Sequence, residues 1–72
     1  MGNEQPITIP VDFPSRDEAT ALAQLVKRID YGTVNRFAAP TITYNGRSEG
    51  DVMWSAVCTL QHQLAEAGFV PR

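Results

Sequence analysis

Cys58 and His62 are the only cysteine and the only histidine in the chain, four residues apart. On a helix that spacing puts them one turn apart on a similar side, where the two side chains can touch. A thiol beside an imidazole can become a nucleophile, but catalysis also needs a group that orients the base and donors that hold an oxyanion. A helical domain of 72 residues offers little concave space for either. The plainer reading is a small packed thiol next to a surface histidine, since free cysteine is commonly buried as a small hydrophobe. Asp17, Glu18, Asp30, Glu49, Asp51 and Glu66 supply carboxylates for acid–base work. Four of them, Asp17, Glu18, Glu49 and Asp51, fall where helices start, and there the helix dipole accounts for negative charge. One cysteine and one histidine allow neither an intrachain disulfide nor a Cys/His zinc site. The expectation is no enzyme activity, no cofactor and no metal.

What can position these residues is limited by size. A chain of 72 residues has room for one domain, residues 1–72, with residues 1–5 expected to be flexible. Chains this short bury only about 60% of the surface that the unfolded form exposes. Disulfides and metals being excluded, oligomerisation is the stabilising device left. Six Lys plus Arg against eight Asp plus Glu make the chain mildly acidic, which does not suit a dedicated binder of phosphate backbones. No apolar run approaches the roughly 18 residues of a membrane span, and the first residues lack the basic start and apolar core of a signal peptide. A cytoplasmic location is therefore expected. The Met-Gly start raises N-myristoylation, but Pro6 stands where that motif needs Ser or Thr.

The chain shows no internal repeat and no low-complexity tract. Ile7, Ile9, Val11 and Phe13 alternate with Thr8, Pro10 and Asp12, the two-residue period of a half-buried strand. Pro6, Pro10 and Pro14 remove backbone donors, so this segment is expected as an edge strand or as an arm laid over a helical surface. Ser15-Arg16-Asp17-Glu18 is a capping box and opens a first helix, expected to run to about Tyr31. Its buried stripe is Ala19, Leu22, Leu25, Val26 and Ile29, with Gln24, Lys27 and Arg28 opposite, and Gly32 is expected to end it. Thr33 to Ala39 forms a short helical turn with Thr33 as cap and Val34, Phe37 and Ala38 buried, stopped by Pro40. Thr41 to Tyr44 alternates again before the tight turn at Asn45-Gly46, and pairing of this piece with Ile7 to Val11 is one reading of the two extended segments.

The last third, Asp51 to Ala67, reads as one long helix capped by Ser48 and closed by Gly68, with Phe69 folding back on its final turn. Met53, Ala56, Val57, Leu60, Leu64 and Ala67 form the expected core stripe. Trp54, Cys58, Gln61 and Ala65 form a second line, displaced by roughly 100°. A second apolar line asks for a second partner, either the Ile7 to Phe13 arm or another molecule. Tryptophan is enriched at binding hot spots, so Trp54, Cys58, Gln61 and Ala65 are the candidate interface, for a homodimer or for a different protein. The fold class expected is α+β, mainly α: an extended arm, a capped helix, a helical turn, a β-like loop and a long C-terminal helix.

The stretch from Ala21 to Arg28 together with Leu64 to Arg72 resembles a group of short bacterial and phage proteins of unassigned function. The Pro40 to Gly46 stretch departs from that group, in which a shorter acidic connection is expected. The resemblance implies an accessory-gene or mobile-element origin, and it carries no activity with it. The role expected is a small regulatory or inhibitory protein acting by protein–protein contact, with a phage anti-defence factor as one concrete form. The alternative is a small DNA- or RNA-binding regulator using Lys27, Arg28 and Arg36. Against it, Asp51 to Ala67 carries no Lys or Arg with which a recognition helix reaches base edges.

Overall fold

The computed structural model describes residues 5–70. It is mainly helical: α1 spans Arg16–Arg28, α2 Tyr31–Phe37 and α3 Glu49–Glu66, with strands β1 (Thr43–Tyr44) and β2 (Arg47–Ser48) between α2 and α3. The expectation of flexibility at residues 1–5 falls, Gln5 apart, outside the described residues.

Local chemistry accounts for most of the boundaries. The Ser15 hydroxyl accepts the Glu18 N–H at 3.3 Å and starts α1, while Asp17 and Glu18 in its first turn and Lys27 and Arg28 in its last match the helix dipole. α1 stops at Arg28, three residues before the expected end, because a new cap competes for the chain. The Asp30 carboxylate accepts the Thr33 N–H at 2.7 Å and opens α2. Asp30 is thus the cap in place of Thr33, and Gly32 lies inside α2 instead of terminating α1. The Ser48 hydroxyl accepts the Asp51 N–H at 3.2 Å, so α3 begins at Glu49, two residues earlier than expected. At its far end Gly68 adopts φ +99°, and the Phe69 N–H reaches the Leu64 carbonyl at 2.8 Å. This is the Schellman closure, and it turns Phe69 back onto the helix as expected.

The hairpin differs from the expected pairing. Thr43 pairs with Ser48 and Tyr44 with Arg47, antiparallel across Asn45-Gly46, both at positive φ as a two-residue type I′ turn requires. The Ile7 to Val11 segment is in neither strand. Turn length decides this, since a two-residue turn joins Tyr44 at once to Arg47.

Among the described residues the buried apolar side chains are Ala19, Ala23, Val26, Val34 and Leu64. Ala23, Val26 and Leu64 form one cluster, with Leu22, Val57 and Phe69 packed on it. At least half of each expected stripe is buried or half-buried, Ala19, Leu22, Val26 and Ile29 on α1, Val34 and Ala38 on α2, and Met53, Val57 and Leu64 on α3, and the rest is not. Leu25 is 54% exposed and Gln24 half-buried on α1, Phe37 is exposed on α2, and Ala56, Leu60 and Ala67 are exposed on α3. The buried side of α3 adds Gly50 and Gln61 to the expected Met53, Val57 and Leu64. At Gly50 a Cβ would overlap the Asn35 amide oxygen and touch Ala38, so the missing side chain lets α2 lie directly on α3.

Leu64→Ala is expected to destabilise the chain by about 3 kcal/mol, the typical cost of a cavity in a packed core. Leu25→Ala, at a position of the expected stripe that is largely solvated, is expected to change stability by less than about 0.5 kcal/mol. Urea unfolding followed by circular dichroism measures both, and equal losses would contradict the observed packing.

Candidate functional site

The four residues of the candidate interface do lie along one line of α3, but the structure divides them. Trp54 and Gln61 are half-buried, turned toward the neighbouring helices, while Cys58 and Ala65 are exposed on the outer flank. The arm does not cover Trp54. Tyr31 of α2 does, in a T-shaped contact with ring centroids 6.2 Å apart and planes at 87°. The expected choice between a covered indole and an indole in an interface is thus met by an unforeseen partner, which holds the ring and leaves its flank open.

Tyr31 is also the centre of a polar clamp at the start of α3. Its hydroxyl donates to Asp51 Oδ1 at 2.7 Å, and the Tyr44 hydroxyl donates to Glu49 Oε2 at 3.1 Å. The other oxygen of Glu49 accepts the Ala39 N–H at 2.8 Å, and Arg47 Nη2 reaches the Asp51 carbonyl at 3.4 Å. Carboxylates read from the sequence as helix-start charges therefore also tie α2 and the hairpin to α3. Accepting these hydrogen bonds, Asp51 and Glu49 each raise the pKa of the phenol they hold, that of Tyr31 and that of Tyr44, above the ordinary value of 10. Asp30 is lowered, chiefly by the hydrogen bond from Thr33. Tyr31 and Glu49 were legible only as a helix end and a helix-start charge, because neither reading names a partner five to twenty residues away.

The chemistry considered for Cys58 and His62 is not assembled. His62 Nε2 lies 3.0 Å from Glu66 Oε2, one turn further along α3, and both side chains are well exposed. Cys58 is a free and exposed thiol, which corrects the expectation that it is packed. Among the described residues no three His, Cys, Asp or Glu side chains converge as a metal ion would need, and no helix is long and apolar enough to cross a membrane. The cations of the nucleic-acid alternative stand at helix ends: Lys27 and Arg28 in the last turn of α1, Arg36 in the last turn of α2, all exposed. Arg36 acts on Asp30 through its charge, and Arg16 stacks over the Phe69 ring at 4.7 Å. The first turn of α3 presents Glu49 and Asp51, the wrong sign for a helix end approaching phosphate.

An open cleft lies on the opposite flank of α3. Residues 5–9 and Val11 of the arm stand across a cleft of about 1080 Å³ from Ala56, Thr59, Leu60 and Gln63. A smaller apolar cleft of about 500 Å³ continues from it between Ile9, Val11 and Phe13 of the arm and Leu22, Leu64 and Phe69 of the helices. Ile7, Ile9 and Val11 remain 84%, 74% and 63% exposed. Of the two expected forms, edge strand or arm over a helical surface, the segment is in no strand and stands beside α3 without closing the gap.

Compared with known proteins, the chain matches a family of unknown function (DUF7706) over residues 1–72. No curated protein and no solved structure matches it.

Both tyrosines are expected to ionise above pH 10 in a titration followed by ultraviolet absorbance, and Asp51→Asn is expected to move the Tyr31 component back toward 10. The sign follows from linkage. Folding favours the neutral phenols, so their contribution to stability is intact below pH 10 and is lost as pH rises through the raised values. A phenol in the native chain titrating at or below 10 would show that the clamp does not form in solution.

Proposed function

We propose, from the premise that the chain belongs to the DUF7706 family of unknown function, that it is a small non-enzymatic protein working through protein–protein contact. The observation that carries this is its surface. A folded monomer of 7.9 kDa exposes about 4,400 Å² by the usual scaling with mass, whereas this chain exposes 5823 Å². The radius of gyration is 13.9 Å against about 11 Å for a compact chain of this length. The uncovered area includes Ile7, Ile9, Val11 and Leu60 on one flank of α3 and Cys58 and Ala65 on the other. The excess is total surface, and the exposed apolar side chains within it, Ile7, Ile9, Val11 and Leu60 above all, are the part that favours association.

A regulatory or inhibitory role in the cytoplasm fits a protein that acts by occupying a surface. Its narrower form, an anti-defence factor of a phage or other mobile element, rests on small size, mild acidity and the resemblance to short phage proteins. The flank of Cys58 and Ala65 is the surface assigned to a different protein, because both residues are solvated and border the half-buried Trp54 and Gln61.

Two experiments test the reading. The double variant Cys58→Arg with Ala65→Arg, which leaves the core cluster untouched, is expected to keep the helical circular dichroism and to lose at least about tenfold in affinity for a partner captured from the host, as desolvated charge at an interface does. Passage over immobilised duplex DNA across a salt series is expected to show no retention. Tight retention that falls steeply with salt would replace this reading with the nucleic-acid one and move the site to Lys27, Arg28 and Arg36.

A further inference from the structure

The arm carries a pattern that its position beside α3 makes meaningful. In an antiparallel ladder each residue directs its N–H and its C=O to the same neighbouring strand, and successive residues alternate between the two edges. Pro6, Pro10 and Pro14 all occupy even positions, so the even edge of the arm keeps N–H donors only at Thr8 and Asp12. The odd edge, at Ile7, Ile9, Val11 and Phe13, keeps every donor and every acceptor. The same odd residues carry the apolar side chains, which share one face of a strand. In the structure that segment takes part in no strand, and its apolar side chains stand over the open cleft facing Ala56 and Leu60.

We infer that the arms of two copies of this chain pair through their odd edges as an antiparallel ribbon about a dyad near Ile9, with the apolar face of the ribbon covering α3 of both copies. This rests on the contact reading above and names one occupant for the arm flank, a second copy.

Three observations select that occupant. First, the register is self-complementary: with Ile9 opposite Ile9, Ile7 meets Val11, and both lie on the odd edge, as a two-fold contact requires of its own surface. Second, the only charge from residue 5 to residue 14 is Asp12, which falls on the even edge and in this register lies opposite Pro6 and not opposite another Asp12. Third, the exposed area suffices. The total-surface excess of about 1,400 Å² over a compact monomer, to which the exposed Ile7, Ile9 and Val11 contribute, is larger than the roughly 800 Å² that each partner buries in a stable complex. The prolines then have a function of their own, since a strand with one pairing edge stops at two strands and does not propagate.

Light scattering is expected to give a mass twice the 7.9 kDa of the chain. Ile9→Pro removes a donor from the pairing edge of each copy, and it is expected to weaken the dimer by about thirtyfold, the worth of two backbone hydrogen bonds. Thr8→Pro removes a donor from the other edge and is expected to leave the dimer intact. Amide exchange on the unsubstituted chain gives the same answer without relying on a variant: Ile7, Ile9 and Val11 protected, Thr8 and Asp12 fast. A single-chain mass, equal effects of the two proline variants, or exchange without alternation would each overturn the inference. A single-chain mass with the arm amides unprotected would still leave the Cys58 and Ala65 flank to be decided by partner capture, so the two readings fail separately.

Discussion

The contact on which this fold depends is Leu64 set against Ala23 and Val26, because it is where the longest helix meets the first one and where the chain is driest. Ala23 keeps that side of α1 shallow, so α3 can lie close and place its leucine beside it. Gly68 then makes the reversal that brings Phe69 over the same cluster, and Arg16 closes its outer side by stacking on the ring. A turn, a cation and an aromatic ring thus converge on one small core. Each is a local feature of sequence, yet each acts by shielding the same leucine.

The opposite end of α3 is held by different physics. There the chain uses hydrogen bonds from tyrosine and from backbone to carboxylate, with Gly50 letting α2 approach and Tyr31 serving both Asp51 and the Trp54 ring. Exposed hydrogen bonds contribute less than apolar burial, since water competes for the same groups. α3 is therefore anchored by packing at one end and by polar pinning at the other. Its outer flank at Cys58 and Ala65 and its arm-side flank at Ala56 and Leu60 are left with water.

This division explains what the sequence made legible. Caps, the Asn45-Gly46 turn and the Schellman closure follow from side chains acting three or four residues away, and all of them could be read from the string of residues. Helix α2 was misplaced by two residues at its start because Asp30 and Thr33 offer capping groups three apart, and the carboxylate is the stronger acceptor. The buried face of α3 was legible at Met53, Val57 and Leu64, and its remainder was missed for a tertiary reason. Gly50 and Gln61 point at neighbours, while Ala56, Leu60 and Ala67 point away, and counting apolar residues around a wheel cannot see a glycine chosen for closeness. For the candidate site, the line from Trp54 to Ala65 was legible as a line, whereas the ring that covers Trp54 was not, because Tyr31 appeared to end a different helix.

A core this small has a further consequence for how the molecule behaves. Folding must offset a conformational entropy of roughly 1 to 2 kcal/mol per ordered residue, and burial in the interior is the main term that does so. With Ala19, Ala23, Val26, Val34 and Leu64 as the buried apolar side chains among the described residues, that term is modest. Whatever covers the arm and the flanks of α3 adds to it directly, so association and folding draw on the same apolar surface. Binding to the folded form alone raises stability with the concentration of the partner. A chain built in this way gains stability from any molecule that covers the exposed apolar side chains of the arm and of α3.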